Sequence, residues 1–217
     1  MNIEEIYPKV YFINFDNRQE LCKTFLRIQE YYESPVFHNK IFTLNEFRNY
    51  WVKTFGNGIF DYYDVWGGFN VPYKTVNRWE KQFRAKYHKL IPREEKLLSA
   101  IKKFNKKQGH DDNYLKKSYI VATFNNQKSV IDHEVSHAFY YLDPMYKKDC
   151  VKLLSKIPKN ILVLYRKTLY KKGYGKSTIN DELQAYFSVE SKSQLIYPRK
   201  EFIDNFKKHK RRLKCRT

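Results

Sequence analysis

The segment Val130 to Leu142, VIDHEVSHAFYYL, constrains this chain more than any other. It is a largely apolar run in a protein with 42 Lys and Arg, and no lysine falls between Lys128 and Lys147. Asp143-Pro144 closes it, and proline cannot continue a helix, so a buried helix with a marked end is expected. At about 100° per residue, Ile131, Val135, Ala138 and Leu142 gather on one side, and His133, His137, Tyr140 and Tyr141 gather on the other. The first side suits a core and the second suits the floor of a cleft.

The rest of the chain reads as α+β and mostly helical, with one small sheet. Residues 1–105 are expected to form an aromatic-rich helical lobe. Within it NRQELCKTFLRIQEYY places Leu21, Phe25, Ile28 and Tyr32 at helical spacing, and Thr43 with Glu46 makes a capping box ahead of FRNYWVKTF. The segment GNGIFDYYDVWGGFNVP suits short strands or an irregular hairpin, with Trp66-Gly67-Gly68 marking a tight turn. PREEKLLSAIKKF opens on proline and acids, as the helix dipole favours. Residues 106–198 are read as the chemical core, in which Tyr119 to Phe124, YIVATF, is the best strand candidate. After the central helix, two amphipathic helices are expected near 145–156 and 159–172, and another from about Asn180. Residues 199–217 form a basic tail.

The formal net charge is +19, and the tail carries nine Lys or Arg against Glu201 and Asp204. Such a field attracts nucleic acid or another polyanion, because close positive charges release counterions on contact; solubility in a lysine-rich composition is the plainer explanation. Lys207, Lys208, Lys210, Arg211, Arg212, Lys214 and Arg216 would make that grip, and the tail is expected to be dispensable for any chemistry. Cys22, Cys150 and Cys215 are odd in number and far apart, so neither a disulfide framework nor a cysteine metal cluster is expected. No stretch approaches a membrane span, and the first residues lack a basic start followed by an apolar run. These features point to a soluble protein, cytoplasmic or delivered without a classical signal peptide, with nucleoid or nuclear association if the charge is used.

His133-Glu134-Val135-Ser136-His137 is an HExxH pattern. Residues four apart on a helix lie one turn above each other, so both imidazoles can converge on one ion, while Glu134 stands at the edge of that face beside a metal-activated water. Catalytic zinc wants three protein ligands. The acidic candidates downstream are Asp143, Asp149, Asp181, Glu182, Glu190, Glu201 and Asp204; His209 lies in a basic run that opposes a dication. Glu182 is favoured, because in NDELQAYFSVE it shares a helical face with Ala185, Tyr186 and Val189, and small Ala185 permits close packing on the central helix. GYGKS is no phosphate loop, since Tyr170 stands where that pattern needs glycine.

HEVSHAF followed some forty-five residues later by NDELQAYF resembles the gluzincin branch of the zincin metallopeptidases, and its spacing is closest to lethal-factor-like peptidases. The resemblance spans about residues 117–190. It implies a zincin-like core binding Zn2+ through His133, His137 and Glu182, with Glu134 as general base for peptide-bond hydrolysis. It also implies that YIVATF is the edge strand on which an extended peptide substrate aligns, and that a tyrosine steadies the oxyanion. Tyr174, flanked by Gly173 and Gly175, is the first candidate for that role and Tyr186 the second. The competing expectation is a nucleic-acid-associated binding protein with a vestigial zincin site.

Overall fold

The computed structural model describes residues 1–56, 58–172, 174–189 and 199–214. It opens on a hairpin. β1 (Asn2–Tyr7) turns at Pro8-Lys9 into β2 (Val10–Phe15), with Lys9 in the left-handed region at φ 66°. The Lys9 amide donates to Glu5 Oε1 at 2.6 Å, which satisfies a backbone group the tight turn would otherwise strand. β2, VYFINF, pairs in parallel with β4 (Tyr119–Phe124), and β4 pairs antiparallel with β3 (Gly68–Pro72), giving the order β1-β2-β4-β3.

All six residues of β4 are buried because helices cover both faces of the sheet. The period of two sorts them. Ile120, Ala122 and Phe124 enter one core with Tyr11, Ile13 and Phe15, beneath α1 (Arg18–Glu33), α4 (Tyr73–Tyr87) and α5 (Pro92–Lys107). Tyr119 and Val121 enter the other with Val10 and Phe12, against Val135, Ala138 and Phe139 of α7 (Lys128–Leu142). α2 (Leu44–Thr54) begins at the expected capping box: the Glu46 amide donates to Thr43 Oγ1, and the Thr43 amide donates back to Glu46 Oε2. α3 (Tyr62–Val65) and α6 (Asp112–Lys116) are short connectors.

The mostly helical α+β class is as expected, with three differences of detail. Residues 1–105 do carry long helices, but they also supply three of the four strands, so the first residues share a sheet with β4. A six-residue apolar run shows no period that separates strand from helix, and the parallel partner of β2 lies more than a hundred residues away. Among its described residues GNGIFDYYDVWGGFNVP gives one of the expected short strands, β3, after the single turn of α3, and no hairpin. YIVATF is central, and the sheet edge beside α7 is β3. The edge-strand role implied by the resemblance therefore cannot fall on YIVATF.

Asn125 and Asn126, both in the left-handed region at φ 61° and 49°, turn the chain sharply from β4 into α7. Asparagine tolerates that conformation better than other side chains except glycine. α7 ends at Asp143, whose carboxylate accepts from the Met145 amide and caps α8 (Pro144–Ser155) with Pro144 in its first turn. α9 (Lys159–Lys171) and α10 (Ile179–Val189) follow, and α10 lies against α7 with Ser136 and Ala185 wholly buried.

The basic C-terminal segment is no solvated tail. Arg199–Lys214 forms α11, which packs on α8 and α10 and buries Phe202 and Phe206. His209 is buried as well, between Asp143 (2.9 Å) and Asp149 (3.2 Å), and Arg212 pairs with Asp143 while Lys210 pairs with Asp132. Two phenylalanines at i and i+4 among lysines are a docking stripe that the density of charge conceals. The tail cannot be removed without opening a core. No helix among the described residues is long and apolar enough to cross a membrane.

Candidate metal centre

α7 sets His133 and His137 one turn apart, with their Nε2 atoms 3.3 Å from each other. α10 brings Glu182 to the same point: its Oε1 is 3.7 Å from His137 Nε2, and the candidate ligand atoms of the three residues all lie within 4.8 Å of one another. Ligands arranged tetrahedrally around zinc at about 2.0–2.1 Å stand roughly 3.3–3.4 Å apart, so the spacing of the two nitrogens is that of a zinc site. Glu182 Oε2 is buried and, apart from the Tyr174 hydroxyl that acts on this carboxylate, meets no hydrogen-bond donor among the described residues. A buried carboxylate oxygen left this way is costly unless a cation meets it. Two nitrogens and a carboxylate oxygen are also the donor set zinc favours, and the residues fit the ion.

The electrostatics ask for the same positive charge. Burial lifts the Glu182 carboxyl well above the usual carboxylate range; His137 opposes that, while Asp181 and Glu134 add to it. Burial likewise raises Glu33, at the end of α1, with Glu182, Glu134 and Asp181 pushing the same way. For His137 burial disfavours the charged ring, yet Asp181, Glu182 and Glu134 outweigh it and hold its pKa well above the ordinary value. His133 moves the other way, lowered by burial and then by His137 and Lys172. One shared cation would neutralise the acids that His137 alone must face.

Asp181 serves the other side of the ring. Its Oδ1 is 2.9 Å from His137 Nδ1, which holds a proton there and aims Nε2 at His133 and Glu182, where a bound metal would replace the second proton of the charged ring. Asp181 appeared in the sequence only as an alternative third ligand; its adjacency to Glu182, about 100° further around α10, was the available sign of a supporting role.

Glu134 is 7% exposed and is not a member of the ligand group, although its charge acts on His137 and Glu182. Asn70 Nδ2 on β3 donates to its Oε2 at 2.8 Å, and Asn70 Oδ1 accepts from the Tyr119 hydroxyl at 2.5 Å, which orients the amide. Gly68, two residues before Asn70, makes room for it. A Cβ there would stand 2.5 Å from Glu134 Oε1 and 2.9 Å from Glu134 Cγ and from Val130 Cγ1. Gly68 is therefore a point of close approach between β3 and the catalytic candidate, beyond the turn that Trp66-Gly67-Gly68 signals. Nothing in the sequence linked β3 to Glu134.

Tyr174 lines the same cavity of about 330 Å³ as His133, Glu134, His137 and Glu182. Burial, reinforced by the Glu182 charge, keeps its hydroxyl protonated well past the ordinary tyrosine range, so it is a donor. Its oxygen is 3.3 Å from that of Tyr186, whose ring stands edge-on to His133 with centroids 5.1 Å apart. Both tyrosine candidates thus border the cluster.

Fold and site together define a mostly helical α+β protein with a His/His/Glu group able to hold one metal ion. No protein-family model, curated protein or solved structure matches this chain significantly.

Proposed function

We propose that this chain is a zinc-dependent metallopeptidase that hydrolyses peptide bonds. The observation that carries the reading is the convergence of His133, His137 and Glu182 beside a carboxylate, Glu134, that is held off the ligand set by its own partners. When bound, zinc would polarise the scissile carbonyl and make water acidic enough to be a nucleophile near neutral pH. Glu134 then takes the water's proton and delivers it to the departing nitrogen, while Asn70 keeps the carboxylate in one orientation. Tyr174, protonated and in the cavity wall, donates to the oxyanion. β3 is the sheet edge, and Gly68, Phe69 and Asn70 line the cavity, so an extended peptide pairing with β3 would pass Glu134.

The test is Glu134→Gln, with zinc content and cleavage of a proteome-derived peptide library read by mass spectrometry against a chelator control. The variant should keep its zinc and lose roughly 10²–10⁴ in turnover. His133→Ala or His137→Ala should lose both. Equal cleavage by wild type and Glu134→Gln would refute the mechanism. Zinc below about a tenth of an equivalent in chelator-free wild-type protein would refute the metal site.

Polyanion binding is a separate reading, carried by exposed charge alone. Lys207, Lys208 and Arg211 stand on the exposed side of α11 and are its best candidates.

A further inference from the structure

The cavity that holds the metal group has a second wall, built from the end of α1, from α2 and from the segment leading to β3. It carries Glu30, Glu33 and Asp61 beside the aromatic rings of Tyr50, Trp51 and Trp66. Among the described residues the lining contains five acids, counting Glu134 and Glu182, against the single lysine Lys172. In a chain of net charge +19 this is a local reversal of sign.

The acids on this wall accept hydrogen bonds from neutral groups, and Glu33 also faces the charge of His137. Glu33 accepts from Gln29 Nε2 at 2.6 Å, and Asp61 accepts from Trp51 Nε1 at 2.7 Å. Gln29 is 8% exposed, and its Oε1 is buried with no hydrogen-bond partner among the described residues. A carbonyl oxygen stranded next to carboxylates is short of a donor, and leaving it so costs free energy. Aromatic faces beside carboxylates recognise the one common chemistry that offers several donors, a positive charge and an apolar stem.

We propose that this wall is a specificity subsite for an arginine or lysine side chain of the peptide substrate, with Glu30, Glu33 and the free oxygen of Gln29 receiving its donors. The inference rests on the peptidase reading for the word substrate, though the binding it describes needs no metal. Burial pushes the Glu30 carboxyl up to about 7, against the pull of Tyr62 and Ser34, so that an incoming cation would shift it toward its charged form. The arginine stem would lie along Trp51 and Trp66, with its planar head toward the acids.

Two of the three tryptophans in the chain line the cavity, so intrinsic fluorescence reports occupancy. The experiment titrates full-length protein, with and without added zinc, with N-acetyl-arginine methylamide and with its neutral isostere N-acetyl-citrulline methylamide. The arginine compound should bind about tenfold more tightly, the usual scale for a hydrogen-bonded charge, and Glu30→Gln should erase that preference. A preference below about fivefold in wild type, or no binding of either compound, overturns the subsite whatever the variant does. Arginine preference in a protein that fails to retain zinc would sink the peptidase reading and leave the subsite standing; retained zinc without preference would do the reverse.

Discussion

Gly68→Ala is the sharpest probe of how β3 governs Glu134. The added methyl would meet Glu134 Oε1 at 2.5 Å, Glu134 Cγ at 2.9 Å and Val130 Cγ1 at 2.9 Å. Ordinary carbon contacts need about 3.5 Å or more, so the carboxylate must retreat by roughly 1 Å. Its 2.8 Å bond from Asn70 cannot survive that retreat unaltered. The obstructing atoms belong to two side chains and not to backbone, and alanine is easier than glycine to hold in a strand by about 0.5–1 kcal/mol. Against a typical overpacking cost of about 1–3 kcal/mol, the net loss of stability should be near 1–2 kcal/mol. Chemistry should suffer far more, since misplacing a reacting group by about 1 Å costs on the order of 10² in rate. The assay compares kcat, zinc content and denaturant midpoint for wild type, Gly68→Ala, Asn70→Ala and the double variant. Gly68→Ala should keep its zinc, lose about 10² in kcat, and add little further loss on top of Asn70→Ala, because both act through one carboxylate. A kcat within threefold of wild type would refute the argument, as would loss of zinc, which would mean that the strand supports the metal ligands themselves.

Three further outcomes follow from the geometry. Asp181→Asn keeps a polar group at His137 Nδ1 but removes its charge; zinc affinity should fall by about 10–100-fold, measured by competition with a chromogenic chelator, with the far-ultraviolet spectrum unchanged. Tyr174→Phe should lower kcat by about 10²-fold with KM and zinc content little altered, and equal loss in KM would move the residue from the oxyanion to substrate binding. On α11, Phe206→Ala should cost about 3–5 kcal/mol in a denaturant titration, whereas reversing Lys207, Lys208 and Arg211 together should leave the midpoint in place and flatten the salt dependence of binding to a DNA duplex. An unchanged salt slope would reduce those three side chains to solvation.

The parts of the site that were legible share a short range in sequence. His133 and His137 declare themselves because one turn of helix joins them. Glu182 follows from the same periodicity applied to a second helix, and Tyr174 from the turn just ahead of it. Asn70 and Gly68 were silent, since 64 residues separate Asn70 from Glu134 and only the packing of α7 against β3 in the folded sheet unites them. The acidic wall was silent for a like reason: Glu30 and Glu33 meet His133 and Glu134 only across the cavity, where the end of α1 and α7 both pack on β3. β2 could not be distinguished as a strand because burial on both faces erases the alternation that identifies one. In α11 the charge was visible and the Phe202/Phe206 stripe was not weighed against it.

The parallel pairing of β2 with β4 has a consequence for how the chain is made. The hairpin of residues 2–15 can close by itself, but the flank of β2 that faces inward is matched only by residues 119–124. At about 5–20 residues per second, a ribosome needs roughly 5–20 s to travel from one strand to the other. Throughout that interval VYFINF is an apolar, unpaired strand flank on a nascent protein, the kind of surface that recruits chaperones or a neighbouring copy. Slowing synthesis between residues 15 and 119 should therefore increase aggregation during production, and hastening it should improve the yield of folded protein without any change of sequence.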